Sequence, residues 1–166
     1  MPDGNTIRLY WDACCFLHYI NETPEHLPLL ERLLTGASDS GGKLIVVTSM
    51  ISKVEVAFAA QEQLQGALND QQERRIDKLW RDYTAVIVAE FYEQIALEAR
   101  DLVRQAAVQK PKLSLQAADA IHLATAKRLQ VKEFQTYEDK LLNPIYERLT
   151  GLTIREPSEI YVPYKS

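Results

Sequence analysis

Ile7-Arg8-Leu9-Tyr10-Trp11-Asp12-Ala13-Cys14-Cys15-Phe16-Leu17 is the stretch on which the reading of the fold turns. It opens as an apolar, aromatic-rich run that reads as a strand over residues 7–11, and it ends abruptly on a carboxylate. Residues 13–19 contain neither Gly nor Pro and read as the first turns of a helix. A strand that turns straight into a helix is the opening half of a βαβ unit. Ligands of such sheets bind at the carboxyl ends of the strands, where Asp12 falls. An Asp there is either a helix N-cap accepting backbone N–H bonds or a metal-binding or catalytic carboxylate. Acids further along the chain have to decide.

Outward from this stretch, residues 21–28 carry Pro24 and Pro28 and mark a turn. Leu27, Leu30, Leu33 and Leu34 then give a short amphipathic helix ending at Gly36, followed by a loop over 36–42. Leu44-Ile45-Val46-Val47 is a continuous apolar run, as expected for a strand covered on both faces in a parallel sheet. Thr48 or Ser49 is expected to cap the next helix, which runs to about residue 64. A polar helix of mixed charge is expected over 66–83, a third strand over 85–88, and a long helix over 91–108, broken by Lys110-Pro111-Lys112. Ser114 is expected to cap an alanine-rich helix over 115–129. A fourth strand over 133–137, a helix over 138–149 interrupted near Pro144 and a last strand over 152–155 complete the series. Strands alternating with helices predict an α/β protein: a three-layer α/β/α sandwich around a mainly parallel sheet of about five strands.

A chain of 166 residues suits a single domain with a real core. Hydrophobic content of 46% and charged content of 25% are ordinary for a globular protein. The net charge of −4 and a pI of about 5.4 give no global basic field, which counts against a binder of long duplexes held by backbone phosphate. A small local basic patch or bound cations are still compatible with a polyanionic substrate. The two cysteines, Cys14 and Cys15, are adjacent; they suit neither an ordinary disulfide nor a C-x-x-C zinc site, and free thiols fit a reducing compartment. Residues 1–5 have no basic or apolar leader character, and no apolar run approaches the roughly 18 residues of a membrane span. The expectation is a soluble, cytoplasmic protein with no membrane partner.

Two acids sit where helices are otherwise apolar. In the helix after Ser49, Ile51, Val54 and Phe58 read as the apolar stripe, and Glu55 lies beside it. In the helix after Ser114, Leu115, Ala118, His122, Ala126 and Leu129 mark one face, and Asp119 stands on its edge. Neither acid has a Lys or Arg one turn away, so its partner is distant in sequence or is a metal ion. Glu138 and Asp139 follow the fourth strand in the same position that Asp12 takes after the first. Each acid alone has a bland reading as a cap, a rim residue or half of an ion pair. Together they point to one shared acidic site.

These residues also carry a resemblance. Leu9-Tyr10-Trp11-Asp12, Thr48-Ser49 followed by Glu55, Ala118 to Ala126 (Ala-Asp-Ala-Ile-His-Leu-Ala-Thr-Ala) and Phe134 to Glu138 occur in the order found in the PIN-domain (PilT N-terminal) family, which includes VapC-like toxins. The resemblance covers most of the chain and implies a PIN-like fold and a metal-dependent ribonuclease, the toxin of a toxin–antitoxin pair. It implies Asp12 and Asp119 as principal ligands of Mg²⁺ or Mn²⁺, Glu55 completing or orienting that shell, and Glu138 or Asp139 holding a second ion or its water. Ser49 and Thr136 would orient water or phosphate. RNA, an antitoxin protein and a second copy of the chain are the implied partners. The chain departs from the family in having Cys14 where a hydroxyl or amide residue is usual, and Glu138 where the last acid is usually Asp.

Lys53, Lys110, Lys112, Lys127 and Arg128 are the candidate phosphate contacts, with ordinary surface charge as the alternative. His122 reads as a packed core histidine rather than a ligand. Two rival functions stay open. Cys14 and His18, four residues apart, would meet on one helix face as a thiol nucleophile and its base. Alternatively the departure at Glu138 leaves a catalytically weakened PIN-fold module that acts by binding RNA or protein.

Overall fold

The computed structural model describes residues 5–64 and 66–162; the expectation of no leader at residues 1–5 falls mostly outside the described residues. β1 (Ile7–Trp11) runs into α1 (Ala13–Ile20), followed by α2 (Leu27–Asp39), β2 (Leu44–Ser49), α3 (Ile51–Leu64), α4 (Asp70–Arg81) and β3 (Val86–Ala89). α5 (Glu93–Ala107), α6 (Ala117–Arg128), β4 (Glu133–Gln135), α7 (Pro144–Thr150) and β5 (Ile154–Arg155) complete the chain, with a 3-10 turn at Glu159–Tyr161. The five strands form one sheet in the order β3-β2-β1-β4-β5, and every pairing is parallel.

Because side chains alternate across a strand, β1 feeds two cores. Leu9 and Trp11 pack with Phe16, Leu30, Leu33 and Leu34 of α1 and α2 on one face. Tyr10 points the other way, among Ile95, Leu102, Leu123 and Phe134. Helices therefore cover both faces, the three-layer arrangement that buried apolar strands require. The chain leaves β1 toward β2 on one side and later returns to β4 on the other, so β1 and β4 flank the switch point where such sheets bind ligands.

Several sequence readings shift. The polar helix starts at Asp70, capped by Asn69, whose side chain accepts from Gln72 N, rather than at Gly66. The alanine-rich helix starts at Ala117, and the residue before it, Gln116, makes no side-chain cap, so Ser114 is not the cap. The helix after β4 begins only at Pro144, where Asn143 caps it and the proline occupies the first turn that tolerates a missing N–H. The first amphipathic helix runs past Gly36 to Asp39, β3 sits one residue later than predicted, and β4 ends two residues earlier.

The largest correction concerns α3. Its buried row is Ser52, Val56 and Ala60, while Val54 and Phe58 of the expected stripe are 70% and 66% exposed. Small residues let α3 lie close to α1, and the Ser52 hydroxyl is satisfied by Thr48 at 2.7 Å. The bulky apolar side chains are left facing outward.

Candidate functional site

Asp12 follows the last residue of β1, so the strand fixes its Cα and the turn into α1 fixes its side chain. Oδ1 accepts from Cys15 N (3.3 Å), and Oδ2 accepts from the hydroxyl of Thr136 (2.5 Å), just past the end of β4. Both readings of Asp12 thus meet in one side chain: it caps α1 and also lines a cleft. Thr136 is itself pinned, because its oxygen accepts from Glu138 N at 2.9 Å.

The cleft, of about 350 Å³, opens at the carboxyl ends of β1 and β4 and is lined by Asp12, Glu55, Asp119, His122 and Glu138 together with His18, Asn21 and Thr23 of α1 and its following turn. Asp139 is exposed and does not line it. Ser49 is buried, its hydroxyl accepting from Ile51 N at 3.4 Å, so it supports the start of α3 rather than facing the cleft. Four of the acids singled out in the sequence share one cleft. Asp139 and Ser49 stand apart from it.

The electrostatics follow from burial. Asp12 is 4% exposed, and removal from water raises its pKa to about 6, with the negative charge of Asp119 pushing the same way; His122 and the bonds from Thr136 and Cys15 oppose the rise. Burial likewise raises Asp119, opposed by Lys140 and His122 and reinforced by Glu138 and Glu55. The carboxylates repel one another across a partly dry space. The partners that the sequence left distant are now identified: Glu55 accepts from His122 Nε2 (2.6 Å), and Asp119 pairs with the half-exposed Lys140 at 3.8 Å.

None of the five proposed phosphate contacts lines the cleft. Arg128 pairs with Glu98 at 3.1 Å, and Lys53 lies 5.9 Å from the Trp80 ring centroid. Lys140, which sequence reasoning passed over, is the cation that reaches an acid of the cleft. Its place in Glu138-Asp139-Lys140 was the available signal. The thiol reading fails on this geometry. Burial and the charge of Asp12 push the Cys14 thiol up to about 12, away from the nucleophilic thiolate, and His18 bonds Thr23 (2.9 Å) instead of the sulfur.

A profile of the PIN-domain family matches residues 9–144, a span that includes all four cleft acids. The chain belongs to the PIN-domain family. No curated protein matches this chain by sequence. Among solved structures it is similar to VapBC-1 of nontypeable Haemophilus influenzae (TM-score 0.62, 18% identity, 90% of this chain and 98% of that one). It is also similar to VapBC2 of Rickettsia felis bound to a DNA fragment from its promoter (0.61, 15%, 92% and 100%). A third is VapC20 of Mycobacterium tuberculosis, described as a sarcin-ricin loop cleaving toxin (0.59, 12%, 78% and 89%). At these identities the likeness is one of fold.

The donors of this PIN domain are carboxylate oxygens, which match hard divalent cations rather than zinc or copper. As the side chains stand, each of the three inner acids is held by an internal partner, and among the described residues no group of three or more His, Cys, Asp or Glu is placed to hold one ion. The set fits such an ion in chemistry and in surplus negative charge. Ligation would require Asp119 to exchange the long contact to Lys140 for the cation.

Proposed function

We propose that this PIN domain is a metal-dependent endoribonuclease that hydrolyses RNA phosphodiesters in the acidic cleft, as the toxin of a toxin–antitoxin pair. The observation that carries the reading is the gathering of Asp12, Glu55, Asp119 and Glu138 at the switch point between β1 and β4, with the two innermost carboxyls held above their ordinary pKa. Asp12 and Asp119 are assigned as the principal ligands of Mg²⁺ or Mn²⁺, Glu55 as the acid that completes or orients that shell, and Glu138 as the acid for a second ion. When bound, such an ion polarises the phosphodiester and lowers the pKa of its water. Thr136 keeps Asp12 in place by donating to Oδ2, and the wall of His18, Asn21 and Thr23 is where the RNA strand would lie. The cation reverses the sign of the cleft, so an acidic protein can take a polyanion.

Two partners belong to the same reading. The VapBC structures support an antitoxin protein. A second cleft, of about 330 Å³ between the end of α1 and the start of α4, is lined by Glu22, Asn69, Gln72 and Arg75 and offers polar groups to it. Met50 before α3, Val54 and Phe58 of α3, Ile87 on the edge strand β3 and Phe91 beyond it are exposed apolar side chains that a second copy of the chain would cover. Phe58→Glu is expected to convert a dimer to monomers in sedimentation velocity runs. A wild-type chain already monomeric at the same concentration would remove the second copy.

The test of the nuclease is cleavage of mixed-sequence RNA oligonucleotides with Mn²⁺ or Mg²⁺ and with EDTA. Cleavage that EDTA abolishes supports the enzyme. RNA binding that is indifferent to EDTA, with no cleavage, favours the binding module, which the internal pairing of the acids would then explain.

A further inference from the structure

We infer that Tyr10 and His122 form a positioning relay that locks the Glu55 carboxylate into the cleft, Tyr10 fixing the ring of His122 and His122 holding Glu55. The inference rests on the nuclease reading only for its catalytic consequence.

Three elements meet in this relay. Tyr10 on β1 and His122 on α6 are 0% and 1% exposed, whereas Glu55 on α3 reaches the open cleft. Tyr10 Oη stands 2.7 Å from His122 Nδ1, and His122 Nε2 stands 2.6 Å from Glu55 Oε2. Val56 of α3 packs in one core and Leu123 of α6 in the other, so the chain of bonds ties the two helical layers together across the carboxyl edge of the sheet.

The direction of each bond follows from donor and acceptor counting. The Glu55 carboxylate is an acceptor only, so the ring hydrogen sits on His122 Nε2 and is donated to Oε2 at 2.6 Å. With Nε2 as the donor, Nδ1 presents a lone pair, and it accepts the hydroxyl hydrogen of Tyr10 at 2.7 Å. A long, flexible carboxylate is thereby fixed by one oxygen, and Oε1 is left for a ligand in the cleft. Groups of this kind, bonded behind a ligand or acid, carry substantial effects on metal affinity and rate. Tyr10 and His122 touch no reacting atom in this assignment. They act through Glu55.

The experiment is a double-mutant cycle read by Mn²⁺-dependent cleavage of an RNA oligonucleotide, joined to ¹⁵N NMR of the His122 ring. Wild-type His122 should show the Nε2–H tautomer, and Tyr10→Phe should keep it while shifting the Nδ1 resonance, whose accepted hydrogen bond is lost. Tyr10→Phe and His122→Leu should each lower kcat about 10- to 100-fold, and His122→Gln, whose amide N–H reaches the same acceptor, should restore most of the loss. In a Glu55→Ala background the same substitutions should change the residual rate by less than about twofold, because a residue that acts only through Glu55 has nothing left to act on. A merely structural role would give losses that add in that background. Additive losses, or a Tyr10→Phe protein whose Nδ1 resonance and rate are both unchanged, overturn the relay. Tyr10→Phe removes one hydroxyl and carries the cycle should His122→Leu fail to fold. A wild-type protein with the Nε2–H tautomer, a shifted Nδ1 resonance in Tyr10→Phe and no cleavage of RNA would overturn the nuclease and leave the relay standing.

Discussion

Asp12→Asn is expected to lose Mn²⁺ binding by calorimetry and to lower RNA cleavage by about two orders of magnitude or more, on the scale of deleting one preorganised charged group from an active site. The fold should survive. Asn keeps an oxygen for Cys15 N, so the cap on α1 is retained. Its amide N–H then faces the Thr136 hydroxyl, whose oxygen has two lone pairs and already uses one for Glu138 N. The cost of the lost Thr136 donation is about 1 kcal/mol, and it is set against relief from burying a charge. Urea unfolding at pH 7.5 should therefore place the variant within about 1 kcal/mol of wild type. Undiminished turnover would remove Asp12 from the chemistry.

Without divalent cations, the protein should be more stable at pH 5 than at pH 7.5. The folded-state pKa of Asp12 lies above its unfolded value, so between about pH 4 and pH 6 the folded chain binds more protons than the unfolded one. Stability then falls as pH rises through that window, and Asp119, raised in the same direction, adds to the fall. For Asp12 alone the shift to about 6 corresponds to at most about 3 kcal/mol. Mn²⁺ should reverse the trend, because ligands have to be deprotonated before they bind. Its stabilisation should be larger at pH 7.5 than at pH 5. Urea midpoints at the two pH values, with and without Mn²⁺, give all four quantities. A metal-free protein that gains stability toward pH 7.5 would mean that the carboxylates of the cleft are already neutralised from within.

Much of this arrangement was legible in the sequence because it is local. The apolar run of residues 7–11 ending on Asp12, the continuous apolar strand at 44–47 and the alternation of helix and strand are patterns that the backbone period writes directly into the chain. Glu55 and Asp119 stood out because their helices lacked a nearby cation, and the cleft places both beside Asp12. What was hidden is non-local. Ile51, Val54 and Phe58 are more apolar than Ser52, Val56 and Ala60, yet the second row is buried, because close approach to α1 selects small size over hydrophobicity. His122 read as a core residue, and it is buried, but its bonds to Tyr10 and Glu55 span 112 and 67 residues and leave no trace in spacing. Ser114 illustrates the reverse error: a good cap residue three positions before a helix that starts without one.

The bond between Thr136 and Asp12 joins residues 124 apart, and β4 pairs with β1 across the same separation. During synthesis the chain presents Asp12 well before the group that holds it, which follows 124 residues later. Until β4 has docked, Asp12 has no Thr136 and the cleft lacks Glu138. Completion of the cleft is thus expected to be a late event in folding, since pairing over so long a loop waits for the rest of the sheet.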